Sequence, residues 1–399
     1  MNILFLTETE ISPIQGGTEH ITHTLSQSFR AEGHKCYLGY LKPISPDLQA
    51  TEFDGKCLLI INDTLGEQLE HLLKDNEINI IVVNFVTKAS KQAILPLLYT
   101  ITRTQGAKVV VCYHAMPGED IKPSNWNHIL YQIKHHYNSQ QAIKDAFLHL
   151  IPNSLNRRLV RSKYQLSPKY ADAFVLLSEK FYQPYLEIAG NIPHDHFYAI
   201  GNALSYEKNI DKEKLKEKEK LVLIVARQHE RSKKLSMALR VWKQIESMPN
   251  LEEWKLQIVG GGPDAEYYRR LQNQLGLKRC ELLGRQPEVE PFFEKASIFM
   301  MTSSYEGFGI TLTEAQQFGC VPIVQNTYAS LTDIIQDGGN GVIVNSEDPI
   351  VYAQRLAKLM RDSEIRGVMA RRGLQTCQKF SMPRITKVWT TLFKQLLRR

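Results

Sequence analysis

Residues 298–324, IFMMTSSYEGFGITLTEAQQFGCVPIV, constrain the fold more than any other part of the chain. Ile298, Phe299, Met300 and Met301 form a short apolar run that suits a strand buried on both faces, as in a parallel sheet. Tyr305-Glu306-Gly307-Phe308-Gly309 then makes a glycine-punctuated turn, and residues 310–318 carry helical spacing until Gly319 stops them. Strand, turn and helix in this order aim the first free helical N–H groups, near Gly309, Ile310 and Thr311, past the strand's carboxyl end, where an anion is favoured. Glu306 lies in the loop and Glu314 in the helix, with seven residues between them. The intervening glycines break the regular rotation, so the two carboxylates can grip different parts of one ligand. Ionised carboxylates accept pairs of hydroxyl hydrogen bonds, and a nucleotide sugar offers two hydroxyl-bearing rings around one diphosphate. Solvated helix-end residues are the plainer alternative for any isolated glutamate pair.

The segment Glu306-Gly-Phe-Gly-Ile-Thr-Leu-Thr-Glu314, continued by AQQFGCVPIV over 315–324, resembles the paired-glutamate motif of the retaining glycosyltransferases of family 4, which have the GT-B fold. The resemblance implies an α/β chain of two Rossmann-like, doubly wound parallel-sheet domains facing a central cleft. It implies that Glu306 contacts the donor sugar and Glu314 the nucleotide ribose, with Gly307, Phe308, Gly309 and Ile310 beside them in the donor site.

A length of 399 residues suggests two or three domains, of which two is the simplest division, and 43% hydrophobic with 23% charged residues is ordinary globular material. No run of about 18 apolar residues predicts a transmembrane helix. The start, MNILFLTETE, reads as a first buried strand rather than a leader peptide, which makes the expected location cytoplasmic. The six cysteines, at 36, 57, 112, 280, 320 and 377, are scattered without close pairs and read as buried, reduced thiols rather than zinc ligands or disulfides.

Along the chain, residues 2–6 form the expected first strand, and Gly16-Gly17 precedes a helix over about 18–31. A glycine pair lets a ligand approach the backbone, although an ordinary turn is the commoner meaning, and three spaced glycines of a dinucleotide fingerprint are absent. Further strands are expected at 36–40, 57–61, 78–83, 109–113 and 173–177, alternating with helices. His114 follows the 109–113 strand directly, at the end where such sheets gather ligands. The resemblance makes Gly16 and Gly17 donor-binding and brings His114 near the donor sugar. Residues 121–169 carry eight lysines and arginines against Asp145 alone, a balance of +7 that equals the formal charge of the whole chain. With Trp126, Tyr131, Tyr137, Phe147 and Tyr164 interleaved, this helical insertion suits an anionic membrane surface or an acidic acceptor. The alternative is a solvated insertion whose aromatic residues pack on the N-terminal domain. No motif for nucleic acid accompanies the charge.

The expected domains are an acceptor-binding half over 1–204 with the insertion at about 121–169, a charged linker at 205–220, a nucleotide-sugar half over 221–380, and a final helix over 381–399 that crosses back. After a strand at 221–225 come Arg227, Arg231, Lys233 and Lys234, cations that can clamp a diphosphate. The resemblance gives that role to Arg227 and one lysine, Lys233 or Lys234, and it makes Gly262, from Gly260-Gly261-Gly262-Pro263, and Arg285 donor-binding. The expected function is transfer of a sugar from a nucleoside-diphosphate donor to an acceptor hydroxyl with retention, without metal or other cofactor. His114, Glu306, Arg227 and Lys233 would be catalytic. Polysaccharide or glycolipid assembly at the inner membrane face is the expected setting. A nucleotide-sugar epimerase of the same fold and a non-catalytic membrane-surface adaptor are the alternatives. The sequence leaves open the base, sugar, acceptor and oligomeric state.

Overall fold

The computed structural model describes residues 1–12, 17–45, 52–85, 87–135, 137–208, 210–211 and 213–399. The chain divides into two compact units: Met1–Gly118 with Arg157–Ser205 and Phe380–Arg399, and Glu119–Asn156 with Tyr206–Lys379. Among the described residues the first unit holds a seven-stranded parallel sheet. Its strands are β1 (Asn2–Thr9), β2 (Lys35–Lys42), β3 (Gly55–Leu58), β4 (Ile80–Val83), β5 (Lys108–Tyr113), β6 (Ala173–Leu176) and β7 (Phe197–Ala199), in the order β3-β2-β1-β4-β5-β6-β7. The IIVV of β4 and the AFVL of β6 are buried at every position, which a sheet covered by helices on both faces requires. Strand β3 begins and ends earlier than the 57–61 run suggests. The Gln68 side chain bonds both backbone groups of Ile60, at 2.9 and 3.2 Å, and so satisfies that residue outside the ladder.

The final helix, Met382–Leu397, belongs to this first unit and packs on the helix Thr18–Ala31. Phe29 and Phe393 lie 5.6 Å apart between ring centroids, and the hydroxyls of Ser28 and Thr386 are 2.7 Å apart. Pro383 sits in the first turn of that helix, where its missing N–H costs nothing.

The second unit has a six-stranded parallel sheet among its described residues, ordered β10-β9-β8-β11-β12-β13. The strands are β8 (Glu219–Val225), β9 (Lys255–Val259), β10 (Cys280–Gly284), β11 (Ala296–Met301), β12 (Val321–Gln325) and β13 (Val342–Val344). Its core gathers Trp242, Tyr268, Tyr352 and the inner residues of all six strands. The charged run after residue 205 is more than a tether. Gln317 donates from Nε2 to the carbonyls of Tyr206 (2.5 Å) and Lys208 (3.2 Å), and the Ile210 amide donates to the Gln317 carbonyl at 3.2 Å. The helix Ile310–Gln317 thereby ties the run to the sheet.

No helix among the described residues is long and apolar enough to cross a membrane. The cysteines are free, and burial pushes the thiols of Cys36, Cys112 and Cys280 up to about 12, so these groups stay protonated and inert.

The glycine run after β9 is a packing requirement. A Cβ on Gly260 would lie 2.0 Å from the Ala226 carbonyl oxygen, and one on Gly262 would lie 2.4 Å from that of Gln228. The two strand-end loops can therefore meet only if these positions lack side chains. Gly260→Ala should lower the unfolding free energy by at least about 2 kcal/mol in urea titration, because backbone must move to admit the methyl.

Candidate active site

Because both sheets are wholly parallel, every strand delivers its carboxyl end, and the loop after it, to the same edge of its own sheet. In the second unit four adjacent strands bring the expected donor residues to one rim. Arg285 follows β10, Gly262 follows β9, Arg227 and Lys233 follow β8, and Glu306 to Glu314 follow β11. Arg227 is exposed, and among the described residues its guanidinium has no hydrogen-bond or ion-pair partner. Arg285 is exposed as well, and its Cβ lies 3.5 Å from the place a Cβ on Gly261 would take.

Lys233 and Glu306 meet directly, with Nζ 2.6 Å from Oε1, and both side chains are largely buried. Ser303 Oγ donates to the same carboxylate oxygen at 2.6 Å. The backbone around them is stitched in parallel: the Ser304 amide donates to the Ser232 carbonyl at 2.7 Å, and Thr302 Oγ1 reaches the carbonyls of Lys233 and Lys234 at 3.2 Å. Lys234 turns elsewhere. It adopts φ 46° between two helices, and its Nζ pairs with Glu347 Oε2 at 3.0 Å. Of the two lysines left open by the sequence, Lys233 is the one that reaches Glu306.

Gly309 begins the helix Ile310–Gln317 at φ 88°, and a Cβ there would come within 2.9 Å of the buried Tyr328 hydroxyl. Both the turn and the close approach call for glycine. Phe308 is buried under the turn, and the Gly307 carbonyl accepts from Ser330 Oγ at 3.2 Å. Glu314, one turn into the helix, is half-buried.

The expected residues of the first unit form their own group. Gly17 caps the helix Thr18–Ala31; Gly16 lies outside the described residues. Thr22 Oγ1, in that helix, donates to the Thr18 carbonyl at 2.7 Å and so accepts from Asn84 Nδ2 at 2.9 Å. Asn84 Oδ1 is thereby left to accept from His114 Nε2 at 3.0 Å, which makes Nδ1 the acceptor nitrogen of the imidazole. Burial, with help from the Lys91 charge, lowers the His114 pKa to about 4. The ring is neutral at physiological pH and suited to accepting a hydroxyl proton or hydrogen bond.

The largest departure from the sequence reading is the basic segment. Residues 119–156 group with the second unit, whereas the residues from Arg157 group with the first. A buried polar network joins the former to the strand-end loops. His128 Nε2 is 3.1 Å from Asp264 Oδ1, with both side chains nearly inaccessible, and Asn125 Nδ2 donates to Glu230 Oε1 at 2.5 Å. Arg231 Nε is 2.8 Å from the Lys122 carbonyl and 3.3 Å from Asp145 Oδ1. Lys122 Nζ itself reaches the Ser304 carbonyl at 3.3 Å. Burial pushes Asp264 up, but the His128 hydrogen bond and charge and the Glu230 amide outweigh it and hold the carboxyl below its usual range. Glu230, more deeply enclosed, is raised by burial despite its bonds to Ser236. Sequence reasoning set Arg231 among the diphosphate cations, whereas it is tied to Lys122 and Asp145, and it missed Asn125, His128, Glu230 and Asp264; the one visible signal was Asp145, a lone acid among eight bases.

With this geometry in hand, residues 205–376 match the family described as glycosyl transferases group 1. The matched stretch contains the whole rim from Arg227 to Glu314. An alpha-1,4-N-acetyl-D-galactosaminyltransferase of Campylobacter jejuni, acting on a GalNAc-containing diNAcBac-PP-undecaprenol, is 29% identical over 45% of this chain and 49% of its own. The poly(glycerol-phosphate) alpha-glucosyltransferase of Bacillus subtilis is 23% identical over 61% of this chain and 37% of its own. The chain thus spans about half or less of the length of these relatives. Among solved structures, HepE of Anabaena in complex with UDP-glucose superposes with TM-score 0.71 at 14% identity, covering 99% of this chain and all of that one. A sucrose-phosphate synthase of Thermosynechococcus elongatus gives 0.72 at 15% over the full length of both. The fold is GT-B, two Rossmann-like parallel-sheet domains, as the sequence implied.

Two outcomes follow from the charges described. His128→Ala strands the Asp264 carboxylate without its buried partner and should cost about 3 kcal/mol in denaturant unfolding. For His114 the folded pKa lies below the unfolded value of about 6.5, so its stabilising contribution is complete above that pH and is lost as pH falls toward about 4. Over that window wild type should lose up to about 3 kcal/mol more stability than His114→Gln, measured as unfolding midpoints against pH.

Proposed function

We propose that this protein is a retaining glycosyltransferase that moves a sugar from a nucleoside-diphosphate donor to an acceptor hydroxyl in polysaccharide or glycolipid assembly. The observation that carries the reading is the 2.6 Å pairing of Lys233 with Glu306 at the start of a glycine-capped helix, on the rim that also bears Arg227. The difficult step is separating a sugar with cationic character from a diphosphate anion. Arg227, Lys233 and the first amides of the helix at Ile310 supply positive potential where that anion develops, and charge stabilisation of this kind is the largest resource such a site has. The reading assigns this compensation to the chain's own cations and dipole, without a metal.

Glu306 accepts hydroxyl hydrogen bonds from the donor sugar, and its bond to Lys233 holds the two groups in fixed relation. Glu314, eight residues on, accepts from the ribose. Neither glutamate is placed as a nucleophile. The acceptor oxygen attacks from the face the diphosphate is leaving, its proton passes to a departing phosphate oxygen, and the new bond keeps the anomeric configuration. His114, neutral and with Nδ1 able to accept, positions a donor or acceptor hydroxyl. Uridine is the first base to try, since HepE was solved with UDP and UDP-glucose. A lipid-carried acceptor is supported by the lipid-linked substrate of the Campylobacter relative. The proposed setting is cytoplasmic, peripheral on the inner face of the cell membrane.

Thermal melting with uridine, guanosine and adenosine diphosphates and their sugars tests donor binding. A donor at 100 times its dissociation constant stabilises by about 2.7 kcal/mol, enough to shift the midpoint visibly. Glu314→Ala should weaken the effective nucleotide roughly tenfold, about 1.4 kcal/mol. Glu306→Gln should reduce kcat by about 100-fold or more while leaving nucleotide affinity near wild type. Wild-type turnover in Glu306→Ala with every donor that binds would overturn the assignment, and product formed from the donor alone, without acceptor, would replace transfer by epimerisation.

A further inference from the structure

The helices Trp126–Lys134 and Ser139–Leu150 form an antiparallel hairpin in the second unit, with Trp126 stacked on His149 at 4.7 Å between centroids. Its inward side is mixed. The buried side of the first helix contains His128 and Gln132 beside Ile129, and that of the second contains Asp145 beside Ala142 and Leu148; His128 and Asp145 belong to the polar network that fastens the hairpin to the strand-end loops. Most of the large apolar residues are outside. Trp126, Leu130 and Ile133 repeat at i, i+4, i+7, as do Ile143, Phe147 and Leu150, and all six are between 49% and 76% exposed. A helix that merely covers a globular core does the reverse, with its apolar stripe inward.

We propose that this outward apolar face lies in the surface of an anionic lipid bilayer. The charges beside it select that occupant. Lys134, in the last turn of the first helix, and Lys144, midway along the second, are exposed, whereas the hairpin's only acid, Asp145, is buried against Arg231. An apolar stripe flanked by exposed lysines matches acyl chains beneath anionic headgroups. A second copy of the chain would set the same lysines against one another. Helices of 9 and 12 residues are too short to span a bilayer, so they lie along its surface. The reading of this protein as a transferase of lipid-carried acceptors gives the contact its purpose, but the contact stands on the hairpin alone.

The test is co-sedimentation of the full chain with vesicles of phosphatidylcholine, with and without phosphatidylglycerol, alongside UDP-dependent melting of the same samples. Wild type should bind the anionic vesicles, more weakly as salt rises. Leu130→Glu with Phe147→Glu should lower that binding at least about tenfold, and Lys134→Glu with Lys144→Glu should also weaken it. All variants should keep the wild-type melting midpoint and UDP shift, since these side chains face solvent. Absence of wild-type binding, or binding undiminished in both double variants, overturns the inference and leaves the donor reading intact. Concentration-dependent oligomers dispersed by Leu130→Glu, without vesicle binding, would also overturn it in favour of self-association. Loss of the UDP shift with vesicle binding retained would count against the donor reading alone.

Discussion

A wholly parallel sheet can be built only with a crossover after every strand, and that constraint organises each unit of this protein. Because all six strands of the second unit run the same way, the loops that leave them share one edge. Cations following β8 can therefore stand beside a carboxylate following β11, some seventy residues later, with no special long-range device. The price in backbone freedom is taken at Gly260 and Gly262, where the loops press too closely for any Cβ. The site follows from strand direction first and from side-chain chemistry second.

The segment 119–156 is built on different physics. Its contribution to the second unit is polar and buried: imidazole to carboxylate, amide to carboxylate, guanidinium to carbonyl and carboxylate. Buried groups of this kind are stabilising only as a complete set, so the segment is held in a specific register against the loops that carry Arg231 and Ser304. Directing His128, Gln132 and Asp145 inward leaves most of the large apolar residues of this segment to face outward, and the same packing that holds it on the strand-end loops thus creates an exposed hydrophobic surface.

Local sequence disclosed most of the sheet and most of the rim. Apolar runs such as IIVV and IFMM suit a covered strand, and Gly307-Phe308-Gly309 between a strand and a helical run suits a ligand-facing turn. The segment from 121 to 169 was far less legible. Its charge was visible, but its period was obscured because His128, Gln132 and Asp145 occupy inward positions where apolar residues are normally read. Strand β3 shifted for a similar reason, since a glutamine from another element satisfied the backbone that a strand would have used.

What the sequence determined by itself was whatever depends on neighbours along the chain: the strands and helices, the glycine turns, and a glutamate pair on one loop and helix. Tertiary structure decided which groups from distant segments share a pair of atoms. It separated Lys233, bonded to Glu306, from Lys234, bonded to Glu347, because one residue of rotation on a short helix sends adjacent side chains to opposite partners. It also assigned residues 121–156 of the basic segment to the second unit, a choice fixed by buried hydrogen bonds between residues more than a hundred positions apart. Such bonds leave no periodic trace in a sequence, since their geometry exists only after both partners have folded.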